Sequence, residues 1–318
     1  MTPVTAPAPT PLATSLAHSL SGAVASVMAG RHEQIEVATA CVLAGGHLLI
    51  EDIPGVGKTL LAQSMAAAVG GTFSRVQGSA DLLPADVVGT LAPAADGFGL
   101  HFRPGPVFAH VVLFDELNRA NPRTQSALLE VMEEGKVTVD GQAHPVPSPF
   151  VVMATQNPVE MAGTYPLAEG VTDRFTAAIS LGRASAEEEV EVLTGRRGRG
   201  RLAGVGHVAS PAELAAARAA VAHVHVADVI AAYAVALLHA TREHPRVRLG
   251  ASTRAGVAMV GMARAFALMA GRDHVAPHDI ARAARCTLAH RLVLDTRDRI
   301  LADVVVDECL AQVPAPRR

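Results

Sequence analysis

Apolar residues follow two rhythms along the chain. Three short unbroken runs stand out: Leu48-Leu49-Ile50, Val111-Val112-Leu113-Phe114 and Phe150-Val151-Val152-Met153-Ala154. Each is too short for a stable helix and ends in polar or turn-forming residues, which is how a strand buried on both faces reads. Phe73-Ser74-Arg75-Val76-Gln77 and residues 176–181 predict two further strands. Elsewhere apolar positions recur at helical spacing: over 15–45 with a break near Gly30, over 60–66, over 122–134, and from 210 to 313. Strands and helices alternate in the first part, and the last part reads as helix without a long strand.

Local signals sharpen the boundaries. Asn121 is a helix N-cap with Pro122 at the first helical position, and Gly135 stops that helix. Ser185-Ala186-Glu187-Glu188 and Ser210-Pro211-Ala212-Glu213 are capping boxes, and Ser252 caps a helix that starts at Thr253. Two hairpins are expected, over 90–102 with its turn at Ala95-Asp96-Gly97, and over 136–141 with Asp140-Gly141 as the turn. The run Gly195-Arg196-Arg197-Gly198-Arg199-Gly200-Arg201 has two readings. One is a nucleic-acid patch; the other, preferred in a chain biased toward Arg, is a solvated linker between domains. The expected organisation is a disordered tail over 1–20, an α/β core over 21–184, a helix and Gly/Arg-rich linker over 185–209, and a helical unit over 210–318.

Composition limits the possible partners. The 318 residues are half apolar, with net charge −3 and a pI near 6.5, so no overall basic field draws the chain to nucleic acid or anionic lipid. Cys41, Cys286 and Cys309 are widely spaced, which implies neither a zinc site nor a disulfide framework and fits a reducing cytoplasm. The first fourteen residues, rich in Pro, Thr and Ala, lack the basic-then-apolar order of a signal peptide. The apolar run 229–238 is too short for a membrane span, and His239 ends it.

Candidate chemistry centres on Glu51-Asp52-Ile53-Pro54-Gly55-Val56-Gly57-Lys58-Thr59-Leu60, set between a strand and a helix. That context suits a phosphate-binding loop: unpaired backbone N–H groups and the helix dipole favour an anion there, and glycines let the backbone curl around it. Lys58 is placed for the β- and γ-phosphates and Thr59 for Mg²⁺. Asp52 stands where the usual pattern has Gly. The plainer alternative is a strand-to-helix turn that happens to contain Gly-Lys-Thr. The strand 111–114 ends in Asp115-Glu116, a pair suited to holding Mg²⁺ and polarising a water. Asn157, at the end of another strand, is suited to bridging that water and the γ-phosphate, and is equally ordinary turn chemistry before Pro158. Only two lysines occur, Lys58 and Lys136.

Taken in order, these motifs resemble the MoxR-type AAA+ ATPases. The resemblance runs from 21 to 313 and includes Gly45-Gly46-His47-Leu48-Leu49-Ile50 through Thr59, Asp115-Glu116-Leu117-Asn118-Arg119-Ala120, Ala154-Thr155-Gln156-Asn157-Pro158, Gly163-Thr164-Tyr165-Pro166-Leu167, Asp173-Arg174-Phe175 and Gly250-Ala251-Ser252-Thr253-Arg254-Ala255. It implies an α/β AAA+ core with strand order 5-1-4-3-2 and a C-terminal helical lid. It implies ATP and Mg²⁺ as ligands: Pro54, Gly55, Val56, Gly57, Lys58, Thr59 and Leu60 around the nucleotide, Thr59 and Asp115 on the metal, Glu116 and Asn157 on the water. It further implies that Arg254 touches the γ-phosphate of its own subunit and that Arg174 is an arginine finger entering a neighbour's site. The sequence departs from the family at Ala168-Glu169-Gly170-Val171-Thr172, where Pro-Glu-Ala-Gln-Leu is usual, and at Gly30-Arg31, where Gly-Gln is favoured. The implied activity is an ATP-driven, ring-forming remodelling chaperone, hexameric, with a VWA-domain partner and an unnamed client. The rivals are a nucleic-acid motor and a nucleotide-gated scaffold. The expected hairpins carry few basic residues against the first, and intact Asp115, Glu116 and Asn157 speak against the second.

Overall fold

The computed structural model describes residues 11–28, 30–93, 99–157, 165, 167–294 and 299–316. The chain begins with α1 (Pro11–Ala25), α2 (His32–Leu43), β1 (Leu48–Glu51), α3 (Lys58–Ala68), β2 (Phe73–Gln77) and α4 (Pro84–Val88). Then come β3 (Gly89–Pro93), β4 (Leu100–Pro104), β5 (Val111–Asp115), α5 (Pro122–Glu134), β6 (Lys136–Val139), β7 (Gln142–Pro145), β8 (Val151–Gln156), α6 (Glu169–Thr172) and β9 (Ala177–Ile179). The remainder holds α7 (Ala186–Leu193), α8 (Pro211–His223), α9 (Asp228–Glu243), β10 (Val247–Leu249), α10 (Thr253–Met269), α11 (Pro277–Thr287), β11 (Val293–Leu294) and α12 (Arg299–Gln312).

The central sheet is parallel, in the order β2-β5-β8-β1-β9. Counting these five strands along the chain gives the expected 5-1-4-3-2. The unbroken apolar runs have a direct cause. Leu48, Ile50, Val111, Leu113, Val151 and Met153 pack into the core beneath α1, α2 and α3, while Leu49, Val112, Phe114, Val152 and Ala154 pack on the other face with α5. Both faces are covered, so successive side chains are all buried. The caps form as read: Asn121, Ser185, Ser210 and Ser252 accept from the backbone N–H three residues on.

One expectation is corrected and one is refined. Residues 11–14, read as disordered tail, begin a helix that also takes in 15–20, where the tail and the helical spacing overlapped: Ala13, Leu16, Ala17, Leu20 and Val24 form a buried stripe against α2, α3 and α10. The Gly/Arg-rich stretch is solvated at Gly195, Arg196, Arg199, Gly200 and Arg201 but pinned beside the end of α1: the Gly198 N–H donates to the Val27 carbonyl at 2.8 Å, Arg197 donates to the Ala25 carbonyl, and a 3₁₀ turn covers Arg199–Gly204. The helical second part also contains a short antiparallel pair, β10 with β11, that its sequence did not announce. Its core is continuous with that beneath the sheet, since Leu214, Leu237, Met262 and Ile280 join the same cluster as Leu20, Cys41 and Ile50.

Both hairpins are present, β3 with β4 and β6 with β7. The turn expected at 95–97 lies outside the described residues. The turn at Asp140-Gly141 has positive φ at both positions, as a tight hairpin requires. The two hairpins touch: the Phe102 ring stacks on His144 with centroids 3.9 Å apart and planes at 18°.

Candidate functional site

The loop after β1 has the geometry of an anion cradle. Gly57 is the N-cap of α3 with φ 101°, and Gly55 has φ 90°, conformations strained for any residue with a side chain. A Cβ at Gly55 would meet nothing within 4 Å, so the space beside the loop is open. Pro54 and Gly55 are exposed; Val56, Gly57, Lys58, Thr59 and Leu60 are half-buried. The eleven-residue α3 points its unpaired N–H groups at that space. The Lys58 ammonium donates to the Asp52 carbonyl at 2.8 Å. Partial burial pushes it below the usual lysine range, opposed by the carboxylates of Asp115, Asp52 and Glu116. Asp52 itself is buried: its carboxylate accepts from the Ile53 N–H at 2.9 Å, the Ser180 hydroxyl at 3.1 Å and the Gly182 N–H at 2.8 Å. The residue that breaks the usual glycine pattern thus ties the loop to the end of β9.

Parallel pairing brings the carboxyl ends of β1, β8 and β5 side by side. Asp115 and Glu116 lie at the end of β5, Asn157 just past β8, the loop just past β1. The Thr155 hydroxyl organises the acids: it donates to Asp115 Oδ1 at 2.6 Å and accepts from the Glu116 N–H at 2.8 Å. Glu116 sits at φ 55°, an unusual conformation for this residue type. Gly78 lets it pass: a Cβ there would lie 2.1 Å from the Glu116 carbonyl. Glu116 Oε2 accepts from Gln77 at 3.0 Å and from Arg119 at 3.1 Å. Arg75 reaches Asp115 Oδ2 at 2.5 Å. Arg75, Gln77 and Thr155 were not singled out from the sequence. The available signal was polarity, since β2 alternates Phe73, Ser74, Arg75, Val76, Gln77 where its neighbours are solidly apolar. The residues present fit nucleotide and metal. Arg75 stands as a cation on Asp115, and a hydroxyl with a carboxylate is the oxygen set Mg²⁺ prefers.

The arginines lie elsewhere. Asp173, Arg174 and Thr176 precede β9, and together with Gly45, Gly46 and His47, which precede β1, they line a cavity of ≈600 Å³ between the sheet and the helical part. Arg254 lines the same cavity, near the start of α10. Arg174 pairs with Glu133 (Nε to Oε1 3.0 Å, Nη2 to Oε2 3.1 Å), and Arg254 Nη2 reaches Glu133 Oε1 at 2.6 Å. Arg254, expected on the γ-phosphate of its own subunit, is here held by Glu133. The cavity opens at the amino ends of β1 and β9, whereas the loop lies at the carboxyl end of β1, roughly 10–13 Å away for four residues of strand. The Asp173-Arg174-Phe175 turn is clamped to the helical part. Arg291 donates to the Asp173 carboxylate at 3.0 Å and to the Phe175 carbonyl at 2.7 Å, and the Ser252 hydroxyl donates to Asp173 at 3.1 Å. The altered segment 168–172 still forms a turn of helix, and Arg174 Nη1 donates to the Gly170 carbonyl at 2.5 Å. At the other departure, Arg31 pairs with Glu188 at 2.9 Å and donates to the Gly182 carbonyl. Of the motif at 163–167, Gly163, Thr164 and Pro166 lie outside the described residues, as does Pro158.

Comparisons with known proteins agree with this architecture. The model of the ATPase family associated with various cellular activities matches residues 47–177, and that of the AAA lid domain matches residues 239–308. These define an AAA+ ATPase core with its lid. At 38% identity over 315 residues, the chain is similar to the chaperone MoxR1 of Mycobacterium tuberculosis, covering 94% of this chain and 83% of that one. It is 42% identical over 293 residues to the uncharacterized protein YeaC of Bacillus subtilis, covering 91% and 92%. A crystal structure from Cytophaga hutchinsonii, provisionally described as an ATPase, superposes with TM-score 0.86 at 31% identity over 96% of this chain and 97% of that one. The chain belongs to the MoxR family of AAA+ ATPases. Among the described residues, no helix is long and apolar enough to cross a membrane.

Proposed function

We propose that the chain hydrolyses ATP as a ring-forming remodelling chaperone. One observation carries this reading. Lys58, Thr59, Asp115, Glu116 and Asn157 converge at the carboxyl ends of the sheet, while Arg174 and Arg254 lie at the amino ends. The cations that would neutralise a γ-phosphate lie away from the phosphate loop of their own subunit, which supports a role on a neighbour's. A head-to-tail contact that brings one face against the other generates a ring when its rotation closes. Val235 and Val257, 51% and 71% exposed, line the cavity beside the arginines and give that face an apolar component.

In the proposed reaction, the loop N–H groups and Lys58 hold the β- and γ-phosphates. Glu116 accepts the proton of the attacking water, which Asn157 orients. Thr59 and Asp115 would hold Mg²⁺, which would supply positive charge to offset that of the phosphates. Arg174, with Arg254 beside it, acts in trans on the charge that develops on the γ-phosphate. Six subunits, a VWA-domain partner, a client whose maturation or cofactor insertion is assisted, and a cytoplasmic location complete the proposal. MoxR1's description as a chaperone supports the client-directed part.

The test is phosphate release measured per chain over a wide range of protein concentration, with sedimentation in parallel. Turnover should rise as assemblies form. Full turnover by the monomer would overturn the shared site.

A further inference from the structure

Glu133 is the last-but-one residue of α5, and nothing in the motif pattern sets it apart from its neighbour Glu134. Their surroundings differ. Glu134 pairs with Lys136 at 3.4 Å, on the surface. Glu133 holds both arginines at once: Arg174 Nη2 donates to Oε2 at 3.1 Å and Arg254 Nη2 to Oε1 at 2.6 Å, with Arg174 Nε in ion-pair range of Oε1 at 3.0 Å. Two like charges gathered on one carboxylate repel each other, and the negative charge between them offsets that repulsion. The Arg174 hydrogen bond first, and the Arg254 hydrogen bond after it, hold the Glu133 carboxyl below the usual range, so it is charged at neutral pH.

The two arginines are also fixed relative to each other by the backbone. Arg174 follows Asp173, whose carboxylate accepts from the hydroxyl of Ser252, the N-cap of α10, and Arg254 is the second residue of that helix. Arg291, buried at 7% exposure, grips the same Asp173 from the lid. The guanidiniums therefore form a prepared two-pronged anion site, and the side chains at its mouth remain partly exposed: 28% for Arg174, 51% for Arg254 and 33% for Glu133. An anion arriving from outside can reach them.

We propose that Glu133 is an internal stand-in for a neighbour's γ-phosphate: its carboxylate occupies the two-arginine site in the separate subunit and is exchanged for phosphate when subunits meet around ATP. The inference rests on the reading that Arg174 and Arg254 serve a neighbouring subunit. Glu133 is then a positioning residue with a restraining effect. It keeps two cations together and neutralised, so the face they occupy does not capture other anions, and it sets how much ATP is needed before subunits engage. A dianionic γ-phosphate offers more charge and more acceptor oxygens than one carboxylate, which gives the exchange its direction.

The test is Glu133→Gln, which keeps shape and removes the charge. The ATP concentration for half-maximal assembly, read by sedimentation velocity, and the KM for hydrolysis should both fall about two- to fivefold, the scale of a partly exposed ion pair. The kcat should hold or rise. An unchanged threshold and KM, or a fall in kcat, would overturn the proposal. The shift should vanish in an Arg174→Ala, Arg254→Ala background, and a shift that persists there shows Glu133 acting through something else. Failure of the underlying reading is separate, since Arg174→Ala with Glu133 intact would then hydrolyse ATP at the wild-type rate. A structure of the wild-type assembly with a non-hydrolysable ATP analogue gives an answer independent of any variant's folding. Both guanidiniums should sit on the analogue, and finding them still on Glu133 would sink the exchange.

Discussion

Asp52 and Gly182 are joined across the sheet: the Gly182 N–H donates to the Asp52 carboxylate at 2.8 Å. Ser180 adds a second donor at 3.1 Å, and Asp52 is only 7% exposed. A buried carboxylate with three donors is a tether between the phosphate loop and the end of β9. Asp52→Ala should therefore destabilise the fold by about 1.5–3 kcal/mol, the scale of hydrogen bonds to a charged group. It should also weaken ATP binding, because the loop loses its anchor. Urea unfolding and calorimetry check the two parts, and an unchanged unfolding free energy would show that the tether contributes nothing.

Lys58 and Glu116 separate binding from chemistry. Lys58→Ala should abolish tight ATP binding by calorimetry, through loss of the point charge on the β- and γ-phosphates. Glu116→Gln should bind ATP and hydrolyse it on the order of 10²- to 10⁴-fold more slowly, the usual contribution of a positioned base. Wild-type turnover in the Glu116 variant would move the base to another residue.

Arg174→Ala should leave ATP binding nearly intact while hydrolysis falls on the order of 10³- to 10⁵-fold, the range for arginine fingers. Mixing it with Lys58→Ala should restore some activity. In a mixed assembly, some contacts pair an intact Lys58 with an intact Arg174. The measurement is an ATPase titration of one variant into the other under conditions of subunit exchange. No recovery at any ratio, with co-assembly confirmed, would leave Arg174 a residue of the clamp around Asp173.

His47 predicts a pH dependence of stability. The Val152 N–H donates to its Nδ1 at 3.0 Å, so Nε2 bears the proton and donates to the Met132 carbonyl at 3.2 Å. Charging the ring would set Nδ1–H against the Val152 N–H. Burial lowers its pKa from 6.5 to about 4. The unfolded chain therefore takes up this proton first as pH falls. Stability is undiminished above pH 6.5 and declines from there toward pH 4, by roughly 3 kcal/mol at the low end. Urea unfolding at pH 7 and pH 5 should show this slope in the wild type and a shallower one in His47→Leu. Equal slopes would place the titration elsewhere.

The sheet was legible because a parallel strand covered on both faces leaves an unbroken apolar run, and because Pro, Gly and capping residues mark its neighbours. The loop 52–60 and the Asp115-Glu116 pair were legible because local spacing alone defines them. Three features were not. Residues 11–14 carry no charge, so the helix start at Pro11 and its buried Ala13 have meaning only once the neighbouring helices are there to cover them. The contacts of Gln77 with Glu116 and of Arg75 with Asp115 depend on β2 pairing in register with β5, which no local pattern specifies. The side of the molecule on which Arg254 lies depends on how the lid packs, a long-range fact, and the motif around it is silent on that.

The Phe102–His144 stack has a mechanical consequence. Glu133 ends α5, Gly135 turns the chain, and β6 leaves directly for the hairpin that bears His144; Phe102 lies on the other hairpin. If the two arginines exchange partners as proposed, they do so at the near end of a short lever, whose far end the stacked rings join to a second arm. A small roll of α5 about its axis would swing both arms in the same sense, as one jaw.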